Sequence, residues 1–291
     1  MFDISTVRVI VVIAMAFVYL LFDVLNKRNV PTLYAYSTVV LALVLTATLG
    51  SLQLIGESLL ISAVIAGLGY IVYRIGQLGA ADVIELTAIS LIIPIQPAAY
   101  FVSQPQLGLP FIISVFIATG VSALILVPMY YVPRARKVLK KDILHMITNR
   151  DVLKGILILV AYGAFIAFWT YEIGMSAAGI ALVAVIMIGA SATVMFQKPI
   201  TDSMVDYLSP SKFEEGDIIA LNLMSKAEIA AARKKINGFG KLVTLSILKQ
   251  IQKHRVPGKF PVYRQAMPFA VPIFIGLAVS LLYGNIILLI L

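Results

Sequence analysis

The chain has 291 residues, of which 60% are hydrophobic and 13% charged, and its mean hydropathy is +0.98. Soluble domains carry about 25% charged residues, so this composition excludes a soluble globular protein and indicates a membrane protein with several spans. The formal charge of +9 is typical of basic loops that face anionic lipid, so we expect lipid and not nucleic acid as a partner. No cysteine and only two histidines are present, so we expect neither disulfides nor a metal site.

Apolar runs long enough to cross a bilayer predict eight transmembrane helices. They cover residues 9–25, 33–54, 59–76, 82–98, 109–131, 155–171, 176–196 and 267–290. Of the 23 Lys and Arg residues, 22 lie in the loops after spans one, three, five and seven or at the ends of those spans. Arg8 is the exception. Those loops are therefore predicted to be cytoplasmic, with both termini outside a plasma membrane.

The predicted all-α fold divides into four parts along the chain. These are a membrane core at 1–131, a basic cytoplasmic helix with two further spans at 132–196, a cytoplasmic helical module at 197–266 and a last span at 267–291. Basic residues at 134–154 alternate with apolar ones at near-helical spacing, as in a helix that lies on an anionic leaflet. In the module, Ser225 opens a capping-box pattern, Gly238 is placed as a helix stop, and a second helix is predicted at 242–253.

Three carboxyls lie inside predicted spans, where each costs about 2.5 to 3.5 kcal/mol even on lenient insertion scales. Asp23 is near the cytoplasmic end of span one, and Asp82 and Glu85 open span four. The predicted topology places Asp23 and Asp82 at the same depth on different helices. We therefore expect these two aspartates to meet.

Two carboxyls in a poorly solvated site share one proton, so one can act as base and the other as acid. This is the chemistry of aspartyl proteases, and it needs no cofactor. Two alternatives remain open from the residues alone. Asp82 and Glu85 can simply cap span four and interact with its dipole, or the acids can carry ions or protons.

Several motifs together resemble the GxGD class of intramembrane aspartyl proteases, and most closely the archaeal type IV prepilin and preflagellin peptidases, the class III signal peptidases. The matching stretches are Phe22-Asp23, Lys27-Arg28-Asn29-Val30-Pro31, Gly79-Ala80-Ala81-Asp82, Glu215-Gly216-Asp217 and Met267-Pro268-Phe269-Ala270-Val271-Pro272. The resemblance implies that Asp23 and Asp82 are catalytic, with Gly79, Ala80 and Ala81 supporting them. It also implies that short basic leaders are removed from archaellin or pilin precursors at the cytoplasmic face.

The chain departs from this family in two respects. Ala81 stands where the GxGD pattern has its second glycine, and the smaller archaeal enzymes are associated with six spans, which makes six the alternative count here. The absence of cysteine argues against the bifunctional bacterial form, whose cytoplasmic loop binds zinc.

A basic enzyme needs local acids to attract a basic leader, because its overall charge repels the leader. Glu85, Glu214, Glu215 and Asp217 are the predicted leader-binding acids. Glu85 can instead tune Asp82 or only interact with the helix dipole, and the three acids of the module can instead pair with its own lysines. The alternative functions are a secondary transporter that couples protons or ions through Asp23, Asp82 and Glu85, and a membrane scaffold without enzymatic activity. A transporter would favour broken helices and acids near the midplane of the bilayer.

Overall fold

A computed structural model describes residues 4–26, 29–75, 78–101, 109–139, 146–172, 174–254, 258–263 and 267–289. Helices make up about 75% of these residues. The α-helices are α1 (Ile4–Leu25), α2 (Thr32–Ala47), α3 (Leu52–Arg74), α4 (Ala80–Ile92), α5 (Phe111–Leu139), α6 (Asn149–Glu172), α7 (Ala177–Met195), α8 (Gln197–Ser203), α9 (Lys226–Lys235), α10 (Leu245–His254) and α11 (Ala270–Tyr283). Lys27 and Arg28 of the leader-peptidase pattern, and His145 in the predicted basic helix, lie outside the described residues.

Within the described ranges, five helices are long and apolar enough to cross a membrane: α1, α3, α5, α6 and α7. They confirm a largely helical fold and support a membrane-embedded protein. Helices α2, α4 and α11 are also apolar but have only 16, 13 and 14 residues. At about 1.5 Å per residue, the 13 residues of α4 extend roughly 20 Å, less than a hydrocarbon core of about 30 Å. The number of complete spans therefore stays a prediction.

Helix α4 lies at the centre of the N-terminal half, where α1, α2 and α3 pack around it. Helix α11 packs on α1 and α5, and α7 packs on α5 and α6. The approach of α11 to α5 depends on Gly276, because a Cβ atom there would lie 2.6 Å from the backbone nitrogen of Thr119. Small residues of this kind let membrane helices approach closely.

The end of α4 differs from the prediction, because span four was expected to continue to residue 98 and the helix stops at Ile92. The next residue, Ile93, precedes Pro94, and a residue before proline is disfavoured in helical conformation. The chain then runs beside α11. There the Gln96 side chain donates to the carbonyl of Ser280 at 3.2 Å, and the backbone nitrogen of Phe101 donates to the carbonyl of Leu282 at 2.8 Å.

Carbonyl groups at this helix end lie in the apolar core and are paired by other helices. The hydroxyls of Thr46 on α2 and Ser58 on α3 both donate to the carbonyl of Leu91, each at 3.0 Å. The Arg8 guanidinium donates to the carbonyl of Ile92 at 3.4 Å. A buried backbone carbonyl without a partner costs free energy in lipid, so these contacts allow α4 to end inside the protein.

Arg8 is 6% exposed and also donates to the end of α2, at 2.7 Å to the carbonyl of Leu45 and 2.9 Å to the hydroxyl of Thr48. A cation at a helix C-terminus interacts favourably with the helix dipole. These contacts explain why a basic residue is present at position 8, the one Lys or Arg predicted to lie on the outer side. Arg8 joins the ends of two short helices.

The predicted basic surface helix at 134–154 is not a separate helix in the described part of the chain. Residues 134–139 continue α5, which runs through Pro128 and Pro133, and residues 149–154 begin α6. The predicted boundary between residues 131 and 132 therefore falls inside a helix. Of the apolar residues that gave this spacing, Val138 and Leu139 lie in α5, Ile147 precedes α6, and Ile143 lies outside the described residues.

The module at 197–266 has its own apolar core and is not purely helical. Strands β1 (Val205–Leu208) and β2 (Phe260–Tyr263) form a two-stranded antiparallel sheet. The core contains Phe213, Ile219, Ala232, Ile236, Phe239, Val243, Ile247, Ile251, Phe260 and Val262. The all-helical prediction for this module was wrong, because two strands of four residues, one of which contains a proline, are too short to produce a clear alternating pattern.

Both helices predicted in the module are present. Ser225 and Glu228 form the capping box of α9, with Ser225 accepting from the Glu228 nitrogen at 3.2 Å and Glu228 accepting from the Ser225 nitrogen at 2.7 Å. The Glu228 carboxylate accepts hydrogen bonds from Ser225, first from its backbone nitrogen and then from its side chain, and these lower the pKa of Glu228. Gly238 follows with φ +76°, as expected of a helix stop. The second helix, α10, begins three residues later than predicted.

Replacement of Arg8 by methionine should lower the free energy of unfolding by about 2 kcal/mol or more, because hydrogen bonds to charged groups contribute about 1.5 to 3 kcal/mol each. Arg136→Met is the matched control, since Arg136 is exposed on α5. Thermal unfolding in detergent, followed by circular dichroism, measures both. Equal unfolding midpoints for the two variants would contradict the role of Arg8.

Candidate functional site

The first turns of α4 carry two of the three predicted acids, and α1 brings the third to them. Asp82 is the third residue of α4, Glu85 lies one turn further, and Asp23 is in the last turn of α1. Asp82 and Glu85 each lie close enough to Asp23 for its negative charge to act on them, and the charge of Asp82 also acts on Glu85. The structure thus brings together Asp23, Asp82 and Glu85 in one cluster, which we call the acid cluster.

Asp23 is only 8% exposed, and its Oδ2 accepts a hydrogen bond from the backbone nitrogen of Ala270 at 2.9 Å. Ala270 is the first residue of α11, so the carboxyl lies at the positive end of that helix. The contact joins residues 247 positions apart. The proline-rich start of the last helix, one of the motifs in the sequence, therefore contacts one of the two predicted catalytic residues.

Asp82 caps its own helix. Its Oδ2 accepts from the backbone nitrogen of Gly79 at 3.0 Å, and a Cβ atom on Gly79 would lie 2.9 Å from the same oxygen. The side chain of Asp82 is partly exposed, and both Gly79 and Ala80 beside it are exposed. Asp82 therefore caps α4, as one of the predicted alternatives requires. The cap uses one carboxylate oxygen and does not prevent Asp82 from lying near Asp23.

Glu85 is completely buried, at 0% exposure. Neither of its carboxylate oxygens has a hydrogen-bond partner among the residues that the structure describes. The sequence placed Glu85 in the first turn of the helix, where a dipole role was possible. It is instead the sixth residue of α4, beyond the turn in which the dipole acts strongly.

Two tyrosines near the acid cluster were not recognised from the sequence. Tyr19 on α1 is close to Asp82 and Glu85, and its hydroxyl lies 3.0 Å from the hydroxyl of Thr38. Tyr34 on α2 is close to Glu85 and donates to the carbonyl of Met15 at 2.9 Å. The signal in the sequence is the position of Tyr19, four residues before Asp23 and hence on the same helix face.

The other predicted leader-binding acids lie on a turn of the module. Asp217 Oδ2 accepts from the backbone nitrogen of Glu214 at 2.8 Å, and Gly216 between them has φ +90°. Glu214 and Glu215 are exposed, while Asp217 is half-buried. In the described part of the chain, these three acids are not among the charges that act on Asp82 or Glu85. Asp217 therefore has a structural role in the turn.

Among the described residues, no group of three or more His, Cys, Asp or Glu side chains has a geometry that could hold a metal ion. The chemistry available in the acid cluster is that of carboxyl groups, which can accept and donate protons.

No protein-family model, curated protein or solved structure matches this chain. The function is therefore inferred from the geometry of the acid cluster and from the sequence motifs.

Replacement of Gly79 by alanine should destabilise the protein by about 1 kcal/mol, because the new methyl group displaces the capping carboxyl and alanine is a poor N-cap. Gly67→Ala on α3 is the matched control, with nothing within 4 Å of its Cβ position. Alanine in a helix interior is favoured over glycine by about 0.5 to 1 kcal/mol, so the control should be neutral or stabilising. Thermal unfolding of both variants in detergent measures the difference. A loss for Gly67→Ala as large as for Gly79→Ala would show that the capping contact is not the cause.

Proposed function

We propose that this protein is a membrane aspartyl endopeptidase that removes short basic leaders from precursors of the archaellin or pilin type at the cytoplasmic face. The proximity of Asp23 and Asp82 carries this proposal. The two residues lie on different helices, and each carboxyl accepts a backbone N–H at the start of a helix.

The two aspartates have different surroundings, which supports different roles. Asp23 is buried at the N-terminus of α11, where a negative charge is stabilised, so it is the proposed base that takes a proton from water. Asp82 is partly exposed and is the proposed acid that donates to the carbonyl oxygen of the scissile peptide. The roles reverse when the amine leaves. One proton shared by the pair is sufficient for this cycle.

The proposed path of an extended peptide to Asp82 passes Gly79 and Ala80. Gly79 and Ala80 are exposed beside the carboxyl and have no side chain, or only a methyl group, to obstruct a second backbone. This is the role we propose for the Gly79-Ala80-Ala81 stretch. Glu214 and Glu215, exposed on the module, are the proposed contacts for basic residues of the leader; a partly exposed ion pair contributes about 0.2 to 1 kcal/mol.

Asp23→Asn and Asp82→Asn should each reduce cleavage of a purified precursor below detection, because the amide preserves size but removes a proton-transfer partner. Glu57→Gln, the same chemical change at an exposed position on α3, should cleave like wild type. New N-termini mapped by mass spectrometry provide the measurement, with and without a strong chelator. Substantial activity in either aspartate variant would refute the assignment, and a loss in chelator that a divalent ion restores would indicate a metal mechanism.

The predicted orientation, with the acid cluster near the cytoplasm, is tested by single cysteines in this cysteine-free chain. Cysteines at the exposed positions Asn26 and Thr148 should react with a membrane-impermeant thiol reagent only from the cytoplasmic side. A cysteine at Gln53 should react only from outside. Labelling of Asn26 and Gln53 from the same side would overturn the orientation.

One observation favours the second candidate, an ion- or proton-coupled transporter. Helix α4 ends after 13 residues inside the protein, with its carbonyls paired by Arg8, Thr46 and Ser58, and it carries the buried Glu85. Short, interrupted helices of this kind form the substrate sites of many transporters. Proton uptake into proteoliposomes that depends on Asp23 and Glu85, without cleavage of any precursor, would support the transporter. Full function of both aspartate variants in cells would support a scaffold.

A further inference from the structure

Glu85 is a buried acid that the two-aspartate mechanism does not use. It is 0% exposed, so a lysine or arginine of a leader cannot reach it while α1, α2 and α4 stay packed. This burial argues against the cation-binding role expected from the sequence. An unpaired polar group in a native core requires an explanation, and a functional role is one of the few available.

All the ionisable groups recorded around Glu85 are acids or phenols. Asp82 on its own helix and Asp23 on α1 act on it through their negative charge, and Tyr19 on α1 and Tyr34 on α2 lie near it. Among the described residues, no cation is recorded as acting on this carboxyl. A charged carboxylate that is buried without a partner is so costly that such a group becomes neutral instead.

We propose, on the basis of the proposed peptidase function, that Glu85 carries a proton and is a positioning residue that offers a hydrogen bond to the aspartate pair. Asp82 is its nearest acidic neighbour along α4, three residues earlier, a spacing that places two side chains about 5–6 Å apart at their Cβ atoms. The structure shows no such bond among the described residues. In the proposed mechanism the neutral carboxyl of Glu85 donates it to Asp82 during the reaction, without adding a third charge. Both oxygens of Glu85 have unused hydrogen-bonding capacity for this purpose.

Two variants of similar size separate this role from simple packing. Glu85→Gln keeps a neutral hydrogen-bond donor, whereas Glu85→Met keeps the volume and removes it. We expect Glu85→Gln to retain about half or more of the wild-type kcat, and Glu85→Met to lose about tenfold or more with KM changed by less than about twofold, since the interaction acts on the reacting pair. Equal loss in both variants would mean that a charge is required, and full activity of Glu85→Met would mean that no donor is required. Either result overturns the proposal.

A second measurement does not depend on cleavage. In infrared difference spectra at neutral pH, Glu85→Gln should lack one C=O band of a protonated carboxylic acid that the wild type has. Glu57→Gln should keep every such band of the wild type. An unchanged carboxylic acid band in Glu85→Gln overturns the proposal. If wild type cleaves no precursor, the peptidase function fails, but the infrared result still decides whether Glu85 carries the proton.

Discussion

A helix that ends inside an apolar environment must find partners for its terminal backbone groups within the protein, and the arrangement around α4 depends on this constraint. At its start, Asp82 pairs with the nitrogen of Gly79, and at its end side chains from three other helices pair with the carbonyls of Leu91 and Ile92. These contacts fix the position and rotation of α4 against α1, α2 and α3. The acid cluster is a consequence, since a fixed α4 places Asp82 and Glu85 beside Asp23.

The same constraint explains why the charged groups of the membrane region lie where they do. Arg8 is at the negative ends of α2 and α4, and Asp23 is at the positive end of α11. Each is a costly residue in an apolar environment, and each has backbone partners of opposite polarity. Glu85 is different, because no such partner is recorded for it in the described part of the chain. Glu85 is thus the acid of the cluster whose burial is not offset by a recorded hydrogen bond.

The sequence predicts features that depend on local patterns. The capping box at Ser225 and the stop at Gly238 each follow from a few neighbouring residues, and both are present. Of the eight predicted apolar spans, five are long helices in the described part of the chain. The early end of α4 and the short strands of the module depend on contacts between distant segments, so local patterns did not reveal them. The proximity of Asp23 and Asp82 could be predicted, because the charge distribution predicts which helix ends share a side. The burial of Glu85, and the presence of Tyr19 and Tyr34 beside it, could not be predicted from the sequence, since the rotation of each helix is set by packing.

The hydrogen bond between Asp23 and Ala270 has a consequence for biogenesis. A membrane protein is inserted from its N-terminal end, so α1 and α4 enter the bilayer well before residue 270 has been synthesised. During that interval Asp23 lacks the amide that stabilises its charge, and the acid cluster is incomplete. The peptidase activity that we propose would therefore begin only after α11 has docked on α1.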